Sequence, residues 1–255
     1  MEHLYRFLLY KDSRDVELAL VLGATTVFAP TDAAFAALPA GTLDALLADP
    51  SALADVLLYH VVAGEQDATE VLGQSFIATL NGQAIVVGEA GGQPTASGAV
   101  IVSTNIEASN GIIHIIDAVM VPETRNIVEI ALEDGFNTLA AAVVAAGLAE
   151  TLSDAEAEFT VFAPTDAAFA AVGGTLDALL ADPPALANIL LYHVADGRVF
   201  SDAVVGLASV PTLEGASAPV NVAGAAVTID GATLVATDVQ ATNGVIHVID
   251  AVITP

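Results

Sequence analysis

Four histidines of the chain fall at two pairs of corresponding places. His60 and His193 each end the string LLYH, and His114 and His247 sit inside IIHIID and VIHVID. An imidazole held against a carboxylate is general acid–base machinery, and Asp32 or Asp166 is the residue that would orient His60 or His193. Imidazoles gathered with carboxylates could also hold a metal. Each half of the chain, however, supplies only two such histidines, 54 residues apart, with no H-x-x-x-H spacing. A nucleophile is missing as well: there is no cysteine, G-x-S-x-G, H-E-x-x-H or P-loop. The expectation is therefore no catalytic residue, no metal and no cofactor, with His60, His114, His193 and His247 as partly buried rings bonded to fixed partners. Asp117 and Asp250 interrupt apolar runs and are expected to end strands or to bind backbone amides. Tyr59 and Tyr192 read first as amphipathic packing residues. The sequence has no D-x-D-x-D-G loop for calcium.

These residues recur because the chain is a repeat. TVFAPTDAAFAA occurs at 26–37 and again at 160–171, identical throughout. GTLDALLADPSALADVLLYHV (41–61) returns at 174–194 with 18 of 21 positions the same, and ASNGIIHIIDAVMVP (108–122) returns at 241–255 with 10 of 15. A period of 133–134 residues means tandem domains, because solenoid units run to about 20–50 residues. The expected domains are 1–122 and 123–255, joined by the short segment 122–126.

The elements that must position the histidines follow in a fixed order. TVFA reads as a strand stopped by Pro30. Thr31 or Asp32, with Thr165 or Asp166 in the second copy, caps a short helix. Thr42 is expected to cap the segment LDALLAD, and Ser51 the helix SALADVLLYHVV. Beyond Gly64 the pattern turns to strands: SFIATL, QAIVV, AVIVSTNI and IIHIIDAVMV. Asn81-Gly82, a Gly-rich loop at 88–98 and Asn110-Gly111 separate them. Helices first and antiparallel strands second, with TVFA returning to the sheet, make an α+β domain.

Composition narrows the functions further. Hydrophobic content of 55% predicts well-filled cores. Mean hydropathy is +0.71, but it comes from Ala and Val spread along the sequence. Charge-free apolar stretches such as 18–31 and 139–149 fall short of the roughly 20 residues of a spanning helix, so no membrane insertion is expected. There are 31 acidic residues against 5 basic, which argues against nucleic acid and anionic lipid as partners. The same excess keeps an Ala/Val-rich surface soluble or adapts it to high salt.

TVFAPTDAAF, then LLYHV, then NGIIHIIDAVMVP, in that order in both copies, resemble the fasciclin domain. The resemblance implies two tandem α+β domains, each a wedge-shaped β-sandwich flanked by helices. It further implies an extracellular or cell-surface setting and a non-enzymatic role in adhesion, with a matrix protein or polysaccharide as partner. The family's first box falls on Thr26–Phe35 and Thr160–Phe169, and its second on Asn110–Pro122 and Asn243–Pro255. In animal matrix members the Tyr-His element and an Asp-Ile pair ahead of the second box are linked to integrin binding. That makes Tyr59, His60, Tyr192, His193, Asp238 and Val239 the candidate binding residues. The first copy departs from the acidic pair, reading Asn105-Ile106.

One segment does not repeat. The second copy has a helical lead-in over 126–159, whereas residues 1–24 are about nine residues shorter and unlike it, so they are expected to pack less regularly. A signal peptide is not apparent at the start of the sequence. The alternative function is carriage of a small apolar ligand, such as a carotenoid or lipid, in a groove lined by Ala and Val. A hydrolase using His60 and His193 is the weakest reading.

Overall fold

The computed structural model describes residues 24–174 and 179–255. The expectation about residues 1–24 therefore falls, Ala24 apart, outside the described residues, as does the repeat of the Thr42 helix over 175–178. The chain divides into two units at Pro122 and Glu123.

In unit 1 the first box becomes β1 (Thr25–Pro30) and α1 (Asp32–Ala36), followed by α2 (Thr42–Ala48), α3 (Pro50–Tyr59), β2 (Val61–Ala63) and α4 (Ala68–Leu72). Five further strands follow: β3 (Phe76–Ala78), β4 (Ala84–Ala90), β5 (Gln93–Ala96), β6 (Ala99–Ala108) and β7 (Gly111–Ile116). They form one seven-stranded ladder in the order β2-β1-β7-β6-β5-β4-β3. The two most strictly repeated strings are neighbours in it. β1 pairs in parallel with β7 from Thr25 opposite Gly111 to Pro30 opposite Ile116. Pro30 has no N–H to give, and the ladder ends with the Thr31 amide donating to the Ile116 carbonyl at 3.0 Å. The two ends of the ladder are linked by one backbone hydrogen bond. After β3 the Leu80 amide donates to Val61 O in β2 at 2.8 Å, which brings the chain beyond one edge strand to the other.

Local chemistry corrects four expectations. Thr31 does cap α1, its hydroxyl accepting from the Ala34 amide at 3.1 Å, with Asp32 in the first turn. Ser51 is not the cap of α3. Asp49 takes that place, accepting from the Ser51 and Ala52 amides at 3.0 and 3.2 Å, with Pro50 preset for the first helical position. Nor does Thr42 cap α2, because Gly41 occupies that position at φ 86°. The expected loop at 88–98 is instead the end of β4 and all of β5, turned by Gly91 and Gly92 at φ 61° and 80°. Two successive positive φ values match the strand twist and permit a two-residue turn. The last residues of the predicted helix SALADVLLYHVV leave it after Tyr59 and become β2.

Unit 2 opens with α5 (Ile127–Glu133), α6 (Asn137–Ala145) and α7 (Ala149–Leu152), then repeats the plan. Its elements are β8 (Phe159–Pro164), α8 (Asp166–Ala171), α9 (Pro183–Tyr192), β9 (Val194–Asp196), α10 (Ser201–Val204), β10 (Ser209–Pro211), β11 (Ser217–Ala223), β12 (Ala226–Ile229), β13 (Ala232–Ala241) and β14 (Gly244–Ile249). The ladder order is β10-β11-β12-β13-β14-β8-β9, with β8 parallel to β14. The α+β class holds in both units. One core, shared in kind, packs Phe28, Tyr59 and Ile116 in unit 1 and Phe162, Tyr192 and Ile249 in unit 2. Unit 2 has another on the opposite face of its sheet, where Ile127, Ile130, Leu139 and Leu152 of α5–α7 lie over Val161, Leu186, Leu190 and Ile246.

Candidate functional site

His60 follows α3 and is 5% exposed. Its Nδ1 stands 2.7 Å from Val56 O, and a carbonyl can only accept, so Nδ1 carries the proton. Nε2 is then the acceptor and takes the Met120 amide at 3.0 Å. His193 repeats this with Ile189 O at 2.8 Å and the Ile253 amide at 3.1 Å. Each ring ties the end of a helix to the segment that follows the last strand. Both nitrogens are committed only while the ring is neutral. Burial favours that state, lowering the His60 pKa and taking that of His193 down to about 4. The acid–base pairs of His60 with Asp32 and His193 with Asp166 are not formed, since backbone groups hold both ring nitrogens. Asp166 instead binds the start of α6, accepting from the Thr138 amide at 2.9 Å and from Asn137 Nδ2 at 3.3 Å.

The second histidine pair lies in the central strands β7 and β14, where the rings are fully buried against Phe28 and Phe162. His114 Nε2 donates to Gln66 O at 3.0 Å, and His247 Nε2 to Val199 O at 2.8 Å. The loops so held are also pinned by a threonine of the first box. Thr26 Oγ1 donates to Gly64 O and accepts from the Gln66 amide, at 2.9 and 2.8 Å. Thr160 does the same with Gly197 O and the Val199 amide, at 2.7 and 2.8 Å.

At their remaining nitrogens the two rings differ. Nδ1 of His114 has no hydrogen-bond partner among the described residues, whereas Nδ1 of His247 accepts from the Asp238 amide at 3.3 Å and lies 3.9 Å from Asp238 Oδ1. Asp238 and its counterpart Asn105 sit where β13 and β6 slip register, at φ 64° and 57°. Short polar side chains that bond locally tolerate this backbone region. Each binds the first amide of the helix that follows the loop. Asn105 Oδ1 accepts from the Ala68 amide at 2.8 Å, and the Asp238 carboxylate takes both the Ser201 amide and the Ser201 hydroxyl. Beside it, Val239 packs on the helix-covered core of unit 2, while Ile106 is exposed.

The tyrosines are interior too. Tyr59 donates to Ala84 O at 3.0 Å and lies 2.9 Å from Ser97 Oγ. Tyr192 bonds Asp230, and burial, reinforced by that carboxylate, raises its pKa. Asp117 and Asp250 follow the ends of β7 and β14 and accept from the Val100 and Thr233 amides, both at 2.7 Å. Of the six candidate binding residues, Tyr59, His60, Tyr192 and His193 are buried, and Asp238 and Val239 are largely covered. Any contact role at these positions would act through the turns and helix ends they hold.

Among the described residues no group of His, Asp and Glu is placed to hold a metal, and no helix is long and apolar enough to cross a membrane. Sequence reasoning passed over two residues of unit 2. Arg198 pairs with Glu158 at 3.0 Å and donates to the carbonyls of Ala241, Thr242 and Gly244, closing the turn before β14. Asn243, 1% exposed, binds Ile127 N, Leu152 O and Asp154 O. A basic residue opposite Glu65 in a protein so acidic was the available signal for Arg198.

The sequence profile of the Fasciclin domain matches residues 5–122 and 134–255. The chain is 36% identical over 239 residues to the pig (Sus scrofa) transforming growth factor-beta-induced protein ig-h3, covering 91% of this chain and 35% of that protein. It is 31% identical over 235 residues to human (Homo sapiens) periostin, covering 91% and 27%. It thus spans about a third of the length of each of these two relatives. A solved FAS1 domain pair from the insect cell adhesion molecule fasciclin I aligns over 100% of this chain and 96% of its own, at 18% identity and a TM-score of 0.48. By the profile match over both repeats, the chain belongs to the fasciclin-domain family and holds two such domains in tandem.

Proposed function

We propose that the chain is an extracellular, non-enzymatic adhesion module that binds a matrix or cell-surface protein or polysaccharide through its exposed faces. One observation carries this reading. The repeated residues able to do chemistry, His60, His114, His193 and His247, are buried and bonded to backbone groups within their own unit. That leaves the repeated positions to build the scaffold and the surfaces to recognise partners. Membership of the fasciclin-domain family, and similarity to the transforming growth factor-beta-induced protein and periostin, support the same assignment. The test is to immobilise the full-length protein and offer it a panel of matrix proteins and cell-surface polysaccharides. Saturable binding to at least one is expected, at a level unchanged in Asp32→Asn and Asp166→Asn variants. Binding to none would overturn the proposal.

A further inference from the structure

Asn-Gly occurs three times, at Asn81-Gly82, Asn110-Gly111 and Asn243-Gly244. Glycine has no side chain to shield its backbone nitrogen, so that nitrogen reaches the preceding asparagine Cγ with least steric opposition. In such an attack the glycine N–H gives up its proton and N bonds to Cγ. The bond from Cγ to the amide nitrogen Nδ2 breaks, ammonia leaves, and a five-membered succinimide remains. Solvent water then opens either imide C–N bond, giving aspartate or, with the backbone rerouted through the side chain, isoaspartate. No electron is transferred.

The three sites are not equivalent in the fold. The Asn243 amide is buried and held at both ends, accepting from Ile127 N at 3.0 Å and donating to Leu152 O and Asp154 O at 2.8 and 3.1 Å. Its Cγ cannot turn toward Gly244 without breaking those bonds. Asn81 is half-buried, so its side chain has less room to turn than an exposed one. Asn110 is exposed, and its side chain makes no hydrogen bond among the described residues.

We propose that Asn110 is a self-modification site, deamidating in the folded protein with water as co-reactant, while the same dipeptide in unit 2 is protected by its hydrogen bonds. The product matters because the backbone there has no slack. The Asn110 carbonyl accepts from the Thr25 amide at 3.1 Å, and a Cβ on Gly111 would collide with Thr25 O. Isoaspartate adds a methylene to the main chain where the parallel pairing of β1 with β7 begins. Aspartate keeps the backbone length and adds one negative charge.

The test uses the full-length protein, aged in mildly alkaline buffer and digested after glutamate. The three asparagines fall in separate fragments, 71–89, 108–123 and 215–255. Deamidation raises a fragment's mass by about 1 Da. Asn110 is expected to convert at least about tenfold faster than Asn243 in the folded protein, with Asn81 between them, and the three rates to converge in denaturant. Ageing should also lower the Tm of unit 1, and an Asn110→Gln variant should abolish that decline. Equal folded-state rates at Asn110 and Asn243, or a gap that persists in denaturant, would overturn the site. A Tm decline that survives Asn110→Gln would overturn its structural consequence.

Discussion

Leu53 of α3 and Leu186 of α9 hold the same place in the repeat, yet Leu186 is 1% exposed and Leu53 only partly buried. The difference extends across one face of the fold. Val161, Leu190 and Ile246 are buried in unit 2, and their counterparts Val27, Leu57 and Ile113 are half-covered in unit 1. The first core, around the stapled histidines, is the same in both. Among the described residues, that face is covered in unit 2 by the layer that α5–α7 lay over β8 and β14. Near-identity of sequence in the boxes therefore fixes the strand pairing, but the environment of the same residue depends on what packs against it. Each fully buried Leu or Ile of that layer contributes about 1.5–3 kcal/mol.

The largest expected effect breaks this comparison directly. Leu186→Ala should destabilise unit 2 by about 2–5 kcal/mol, transfer and cavity costs together, whereas Leu53→Ala should cost unit 1 about half as much or less. Urea unfolding followed by hydrogen exchange at peptides from each unit separates the two. Equal costs would mean that the covered face adds no packing energy.

Acid should sharpen the contrast next. The His193 pKa lies at about 4 in the folded protein, below its ordinary 6.5, because burial disfavours the imidazolium. Between those values the unfolded state binds a proton that the folded state refuses. The contribution is therefore complete above pH 6.5 and lost as pH falls toward 4, on the order of 3 kcal/mol in all. His60 is shifted in the same direction by the same cause, so unit 1 weakens as well. A His193→Gln variant should flatten the stability–pH slope of unit 2 in that window. An unchanged slope would place the acid sensitivity elsewhere in the unit.

Much of this architecture was legible because it repeats. The boxes, the Pro30 stop, the Thr31 cap and the strands containing His114 and His247 all follow from local pattern. So does the expectation that the histidines are hydrogen-bonded. Their partners were not legible, because Val56 O, Ile189 O and the Met120 and Ile253 amides are backbone groups, and backbone groups leave no mark in a sequence. The three-residue β2 was hidden by the helical run ahead of it, and β5, reading QPTA, lacks apolar alternation and contains Pro94. Ser51 looked like a cap because serine usually serves as one, but Pro50 moved the helix start back to Asp49.

Asp238 poses the comparison at a single atom pair. Asp238→Asn makes unit 2 read like unit 1 at this position while keeping the side chain's shape and one acceptor oxygen. It weakens the bonds to the Ser201 amide and hydroxyl from charged to neutral, at a cost of about 1 kcal/mol near neutral pH. It also acts on His247. Burial lowers that ring's pKa, and the bond to Val199 O and the Asp238 charge oppose the shift. Without the carboxylate the depression deepens, so more stability should be lost as pH falls below the unfolded value. Asp238→Asn should thus cost about 1 kcal/mol at neutral pH and more in acid, by thermal melts at matched ionic strength. A deficit that stays constant with pH would mean that Asp238 serves unit 2 only by holding the start of α10, which is the part Asn105 plays for α4.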